Sequence, residues 1–399
     1  MRIVCVGGGP AGLYFSILAK LSHPHHQVTI IERNPAGVTY GWGVVFWEDL
    51  LDDLYRNDPV SAREIADSAA RWDQQEVHIR GEQAVHIGGF GFSIGRDRLL
   101  EILTRRALSL GVEIQFQREL EDLSEFADAD LVVACDGANS KVRRLHASHF
   151  QTHIEVGRNK YIWLGTNKLF DAFTFAFEET PAGWLWFHAY RFSGTTSTCI
   201  VECPQETWEA LGFDTLGPEE TLRRLEDIFK RQLAGHLLFN QIRGLGKTPW
   251  LNFKRIRHER WFHGNVALMG DAAHTTHFSI GSGTKLAIQD AIGLAGKLRD
   301  TADLPSALRA YEEERRTALL PLQNAARSSA EWFENVPRHV EQDTLRFAYA
   351  LLNRRGGPPW RYPLYLASQQ AALRGLLRSL YSARRWVRRG RVDTLAPGP

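Results

Sequence analysis

The sequence predicts an α/β fold in which a parallel-sheet domain is interrupted by an antiparallel sheet and followed by a helical C-terminal tail. Three observations predict it. A strand, glycine turn, helix and second strand open the chain; further strand-and-turn units lie far downstream at 130–143 and 266–274; and residues 159–203 alternate with the period of two that marks strands. With 399 residues, 44% apolar and 24% charged, the composition is globular and excludes a disordered or fibrous chain. Mean hydropathy is −0.29, so a soluble protein without a transmembrane segment is expected.

Residues 2–6 are the first apolar run, 11–21 have helical spacing, and 28–32 form the next strand. Between the strands stands Gly7-x-Gly9-x-x-Gly12, with Glu32 twenty residues beyond the last glycine, which completes a Rossmann-like dinucleotide fingerprint. Gly7 makes the tight turn, Gly9 lets backbone approach a pyrophosphate, and Gly12 lets helix and strand close up. The helix N-terminus offers N–H groups to the phosphates, and Glu32 accepts from the ribose. The same glycines break the helix that a secretory signal needs, so the segment is read as structure.

The second unit continues into Asp136-Gly137, Ser140 and Arg143. The third runs into Gly270-Asp271-Ala272-Ala273-His274, then Gly281-x-Gly283 and a helix over 284–298. Asp271 can hold polyol hydroxyls, and the N-terminus of that helix stabilises a reduced flavin by about 1 kcal/mol. A dinucleotide gripped by such distant segments points to FAD rather than NAD. No second G-x-G-x-x-G follows a strand, so a separate NAD(P)H domain is not expected.

The antiparallel region reads as strands at 159–166, 172–179, 183–192 and 195–203. Along the third, Trp184, Trp186, His188, Tyr190 and Phe192 share one face and Leu185, Phe187, Ala189 and Arg191 the other. The first face either floors an aromatic pocket or packs a core. His188 and Tyr190 carry polar atoms among rings, so each is either a substrate contact or a satisfied core group. Cys5, Cys135, Cys199 and Cys203 form no C-x-x-C pair and suit reduced thiols in a cytoplasm. His23, His25 and His26 occupy a polar turn, and no metal site is expected.

Charge is uneven. Residues 344–392 hold eleven Arg and no acidic residue, which leaves 37 basic against 45 acidic residues over 1–343. Leu373, Leu376, Leu377 and Leu380 share a helical stripe and Arg374, Arg378 and Arg385 another, so an amphipathic helix is predicted over 370–391. It docks on the acidic body, receives phosphates of a thioester arm together with Arg158 and Lys160, or lies on a membrane surface. Nucleic acid is not an expected partner, because no stacking or groove-reading motif accompanies the charge.

The glycine fingerprint with Glu32-Arg33, Asp136-Gly137 with Arg143, and Gly270 to His274 together resemble the single-component FAD-dependent aromatic hydroxylases, the para-hydroxybenzoate hydroxylase-like superfamily. Residues 40–46, 95–100, 157–163 and 277–285 are similar to its branch acting on salicylyl- and anthraniloyl-CoA, and several recur in the tryptophan hydroxylase of violacein biosynthesis. The resemblance spans about residues 1–340. Phe278 and Lys285 stand where the wider superfamily carries Pro and Asn.

The resemblance implies that Gly7, Gly9, Gly12, Glu32 and Arg33 bind the ADP half of FAD, Arg96 the pyrophosphate region and Asp271 the ribityl chain. Val45, Asp136, Gly281, Gly283 and Thr284 complete the cofactor set. Tyr161, Trp163, Trp186, Arg158 and Lys160 are the substrate candidates, and His188, Tyr190 and His277 the catalytic ones. NADH or NADPH then reduces FAD, O2 is captured, and the flavin C4a-hydroperoxide hydroxylates an electron-rich ring on a small aromatic substrate, either CoA- or carrier-linked or a free indole derivative. A reductase or halogenase on the same scaffold is the competing class, but Phe187, His188 and Ala189 replace the end of the halogenase W-x-W-x-I-P element. The expected division is 1–72, 92–152 and 258–343 for FAD, 73–91 and 153–257 for substrate, and 344–399 as a basic helical segment, in a monomer or homodimer.

Overall fold

A computed structural model describes residues 1–242, 246–247, 249–356 and 362–370. Its six-stranded sheet runs, in spatial order, Phe262–His263, Val266–Leu268, Leu131–Ala134, Arg2–Val6, Gln27–Glu32, Glu113–Phe116. Each neighbouring pair is parallel except the edge pair formed by Phe262–His263. The central strands are buried almost throughout and read as unbroken apolar runs, as parallel strands covered on both faces must. The helix Pro10–Ser22 packs against the helix Gly283–Asp300, so the two glycine-rich turns of the sequence lie side by side.

The predicted meander is present. Thr152–Thr166, Ser197–Cys203, Gly183–Arg191 and Phe173–Thr180 pair antiparallel within an eight-stranded sheet, and Gln75–Ile79 adds in parallel. The first of these strands begins seven residues earlier than the alternation at 159–166 suggests, because its N-terminal half pairs with Leu251–His258. A register shift between Val156 and Lys160 interrupts that pairing, and Asn252 Nδ2 donates to the carbonyls of Gly157 at 3.0 Å and Asn159 at 3.1 Å there.

Both faces of Gly183–Arg191 are buried. Trp184 and Trp186 join Phe175 and Phe177 in a core closed by Trp332, Phe333, Phe347 and Leu351. Leu185, Phe187 and Ala189 pack with Leu225 and Phe229 on the other side. The 30-residue helix Leu304–Phe333, about 45 Å long, connects the parallel sheet to the first of these cores. The region marked as a basic tail therefore starts as a core element, since the helix Thr344–Asn353 buries Phe347, Ala348 and Leu351. The amphipathic helix predicted over 370–391 lies outside the described residues, apart from residue 370. No helix among the described residues is long and apolar enough to cross a membrane.

Candidate active site

The first strand ends at Val6 and the chain turns into its helix with Gly9 as N-cap. A Cβ on Gly12 would stand 2.2 Å from the Gly7 carbonyl oxygen, so turn and helix close up only on glycine. At Gly9 a Cβ would meet nothing within 4 Å, which leaves open space against the helix N-terminus. Glu32 accepts the Gly8 N–H at 2.8 Å and the Asn34 N–H at 2.8 Å, so its carboxylate is fixed beside the turn. Arg33 is exposed.

A cavity of about 400 Å³ extends from Gly9 to the antiparallel sheet. Val45, Arg96, Asp271, Gly281, Gly283 and Thr284 line it together with Tyr161, Trp163, His188 and Tyr190. Residues scattered over more than 270 positions thus share one space. Burial raises the Asp271 carboxyl against the pull of His274 and Arg96, and burial lowers the Arg96 guanidinium against the charges of Asp271 and Glu32. Ser282 begins the helix Gly283–Asp300 without a side-chain cap, so the first N–H groups face the cavity.

A second, more polar groove of about 600 Å³ adjoins the first, and Tyr161 and Phe278 line both. Their rings lie 4.8 Å apart.

The FAD binding domain family matches residues 1–320. Salicyloyl-CoA 5-hydroxylase of a Streptomyces species is 40% identical over 366 residues, covering 89% of this chain and 70% of that protein. The chain belongs to the FAD-dependent aromatic hydroxylases. The 3-hydroxy-4-methyl-anthranilyl-[aryl-carrier protein] 5-monooxygenase of Streptosporangium sibiricum is 36% identical, and protodeoxyviolaceinate monooxygenase of Chromobacterium violaceum 32%; each alignment covers 90% of this chain and 96% of the relative. The fold matches the crystal structure of 2-methyl-3-hydroxypyridine-5-carboxylic acid oxygenase with a TM-score of 0.68 at 20% identity, over 90% of this chain and 97% of that one.

FAD is the cofactor of this hydroxylase, and NAD(P)H and O2 are the usual co-substrates of its family. The residues present fit that group: open space at Gly9, an uncapped helix end at Gly283 and the Asp271 carboxylate supply what phosphates, an electron-rich ring and polyol hydroxyls require. Arg143 ties two of the motifs together, donating to the carbonyls of Ala272 at 3.2 Å and Ala138 at 2.5 Å. Asp136 accepts the N–H groups of Lys141 at 2.6 Å and Val142 at 3.2 Å, so it caps the helix Lys141–Leu145 and does not line the cavity.

Several sequence-predicted residues sit elsewhere in the hydroxylase. Trp186 is fully buried, donates Nε1 to Glu202 at 3.0 Å and stacks near Phe333, which makes it a core residue and corrects its assignment to the substrate. Arg158 is exposed and paired with Glu334, and Lys160 donates to Asn252 at 2.7 Å above Trp208; neither lines the cavity, although Arg158 borders the adjoining groove. Lys160 directly precedes Tyr161 in the strand, so the pleat sends it to the face opposite the cavity. His277 likewise faces the groove, with Nδ1 2.8 Å from Ser279 Oγ. Tyr190 donates its hydroxyl to the Gly43 carbonyl at 2.8 Å and, with Thr198 Oγ1 accepting the Gly43 N–H at 2.8 Å, moors the strand Gly43–Phe46. His188 keeps Nε2 buried and unpartnered, and burial, with the charges of Arg354 and His277, holds its pKa well below the ordinary value.

Sequence reasoning missed Asp290, Glu202, Arg354 and Arg355. Glu202 accepts from Asn159 Nδ2 at 2.8 Å and Trp186 Nε1 at 3.0 Å, and burial pushes it up to about 7. Only the excess of charge in buried strand or helix text signals such residues. Phe278 and Lys285, the two departures from the wider superfamily, line the cavity wall and pair with Asp49, respectively. Ring nitrogens of His146, His149 and His263 lie within 4.8 Å of one another at the surface, a grouping invisible in sequence, and none of the three lines the cavity.

Proposed function

We propose that the chain hydroxylates the ring of an aryl thioester carried on coenzyme A or a carrier-protein arm. The observation that carries this reading is the shared wall of Tyr161 and Phe278: the aromatic end of the cavity opens beside a larger polar groove lined by Arg158, Arg255, Arg257 and Arg327 together with Glu155, Glu202, Glu331 and Glu334. A ring and a long polar arm fit side by side there. Relatives at 40% and 36% identity are named for CoA- and carrier-linked aromatics.

In this reading residues 1–72, 92–152 and 258–343 carry the cofactor, and 73–91 with 153–257 the substrate. Gly9, Arg96, Asp271 and the Gly283 helix end hold FAD, which when bound activates O2 with electrons from NADH or NADPH. One oxygen atom replaces a ring hydrogen as hydroxyl, the other leaves as water, and NAD(P)H supplies the two electrons. His188 Nε2 offers a hydrogen bond to the ring's activating substituent, Tyr190 positions the wall, and aromatic residues keep the space dry. The four buried free cysteines suit a reducing cytoplasm.

Mass spectrometry of products under labelled O2, from aryl-CoA thioesters and their free acids, tests the reading. Oxygen incorporation confined to thioesters supports it, and equal turnover of the free acids sinks it. A free indole-type substrate is the second reading, motivated by the 32% relative that acts on protodeoxyviolaceinate, and the same panel with indole acids added separates the two.

A further inference from the structure

The cavity has an unbalanced wall. Arg96, Lys254, Arg354 and Arg355 line it against one carboxylate, Asp271. Arg96 lies in the field of Asp271 and Glu32, and Lys254 Nζ donates to Asn139 at 3.3 Å. Arg354 and Arg355 form no ion pair with a described carboxylate, and no acidic charge bears on either.

Arg354 is only 6% exposed. It sits over the rings of Phe175 at 5.1 Å and Phe333 at 5.7 Å, and donates Nη1 to the Leu351 carbonyl at 2.8 Å and Nη2 to the Ser279 carbonyl at 3.0 Å. Its Nε is buried without a partner. Arg355 lies over Trp47 at 5.6 Å beside it. Burial and the neighbouring charge of Arg355 depress the Arg354 guanidinium strongly, and burial depresses Arg355. The Arg354 partners come from the sheet, the Phe278–Ile280 turn and the two C-terminal helices, not from the glycine turn that suits the cofactor's phosphates.

Holding a buried cation without a counter-ion, with a second, half-buried one beside it, is costly, so the missing partner belongs to a ligand. We propose that Arg354, with Arg355 beside it, binds an anionic oxygen on the aromatic substrate, a phenolate or a carboxylate. This deepens the reading of the cavity as the ring site and rests on it. The consequence for chemistry is direct: a buried guanidinium favours the ionised form of a ring hydroxyl, and a phenolate is more electron-rich than a phenol. In a thioester the carboxyl is blocked, which leaves the phenolate as the anion.

The test uses the FAD-loaded protein and reads dissociation constants from the flavin absorbance change. In each of two probe pairs only one member can carry a negative charge on the ring substituent: benzoate against benzamide, and the N-acetylcysteamine thioester of 2-hydroxybenzoate against that of 2-methoxybenzoate. In at least one pair the ionisable probe binds roughly tenfold or more tighter, Arg354→Met removes the difference, and Arg354→Lys keeps most of it. Discrimination in the first pair names a carboxylate, and in the second a phenolate, whose absorption band then appears in the complex near neutral pH. Equal binding within both pairs in the wild type overturns the proposal without any variant, as does discrimination that survives in Arg354→Met. Because binding is read rather than turnover, failure of the thioester reading leaves this result intact and separable.

Discussion

Asp290 accepts a hydrogen bond from His274 Nε2 at 2.7 Å, and the same buried carboxylate takes the Gly270 N–H at 3.0 Å and Arg315 Nε at 2.8 Å. Asp271, which faces the cavity, sits between the two clamped ends of that turn. Burial pushes the Asp290 carboxyl up, but His274 and Arg315 outweigh it and hold it below the ordinary carboxylate range.

A depressed folded pKa makes this contribution complete above the unfolded value and lost as pH falls through the folded one. Asp290→Ala leaves a buried guanidinium and imidazole unpaired, and the expected cost is about 3 kcal/mol or more, with loss of bound FAD. Urea unfolding and the flavin-to-protein ratio check it. A loss below about 1 kcal/mol would remove the clamp from the account.

Gly9→Ala and Gly12→Ala should part company. The first introduces a methyl into open space at an ordinary φ of −78°, so apoprotein stability stays within about 0.5 kcal/mol while FAD affinity falls roughly tenfold or more. The second drives a methyl into the Gly7 carbonyl and destabilises the apoprotein itself by about 3 kcal/mol. Similar thermal shifts for the two apoproteins would contradict the geometry.

His188 is held neutral, so wild-type kcat/KM carries no break from this residue near pH 6.5, where an unperturbed imidazole titrates. His188→Phe should lower kcat about a hundredfold with flavin content unchanged. A break near 6.5 that vanishes in His188→Gln would refute the neutral assignment.

Glu202 has the opposite sign. With its folded pKa raised to about 7, the wild type loses stability as pH rises from the ordinary carboxylate range through 7. Glu202→Gln lacks that loss, so its stability relative to wild type should climb by about 2–3 kcal/mol between pH 5 and 8. A flat difference in urea midpoints across that interval would show that the carboxyl is ionised throughout.

Legibility followed the range of the interactions. The helix Pro10–Ser22, the strand Leu131–Ala134 and the helix Gly283–Asp300 fall within a few residues of their predicted limits, because apolar runs and glycines act over one or two turns of chain. Trp186 was misplaced because alternation shows which residues share a face but not what covers it. The core closing over Trp186 comes from Phe333 and Phe347, more than 140 positions away.

By itself the sequence determined that a dinucleotide would lie against glycine turns and helix ends, since those need only local backbone geometry. Tertiary structure alone decided which charges are buried, which are paired, and that Arg354 of the basic C-terminal segment lines the cavity. The physical reason is that desolvation and ion pairing depend on every group within a few ångströms, and those neighbours arrive from elements that the chain places far apart.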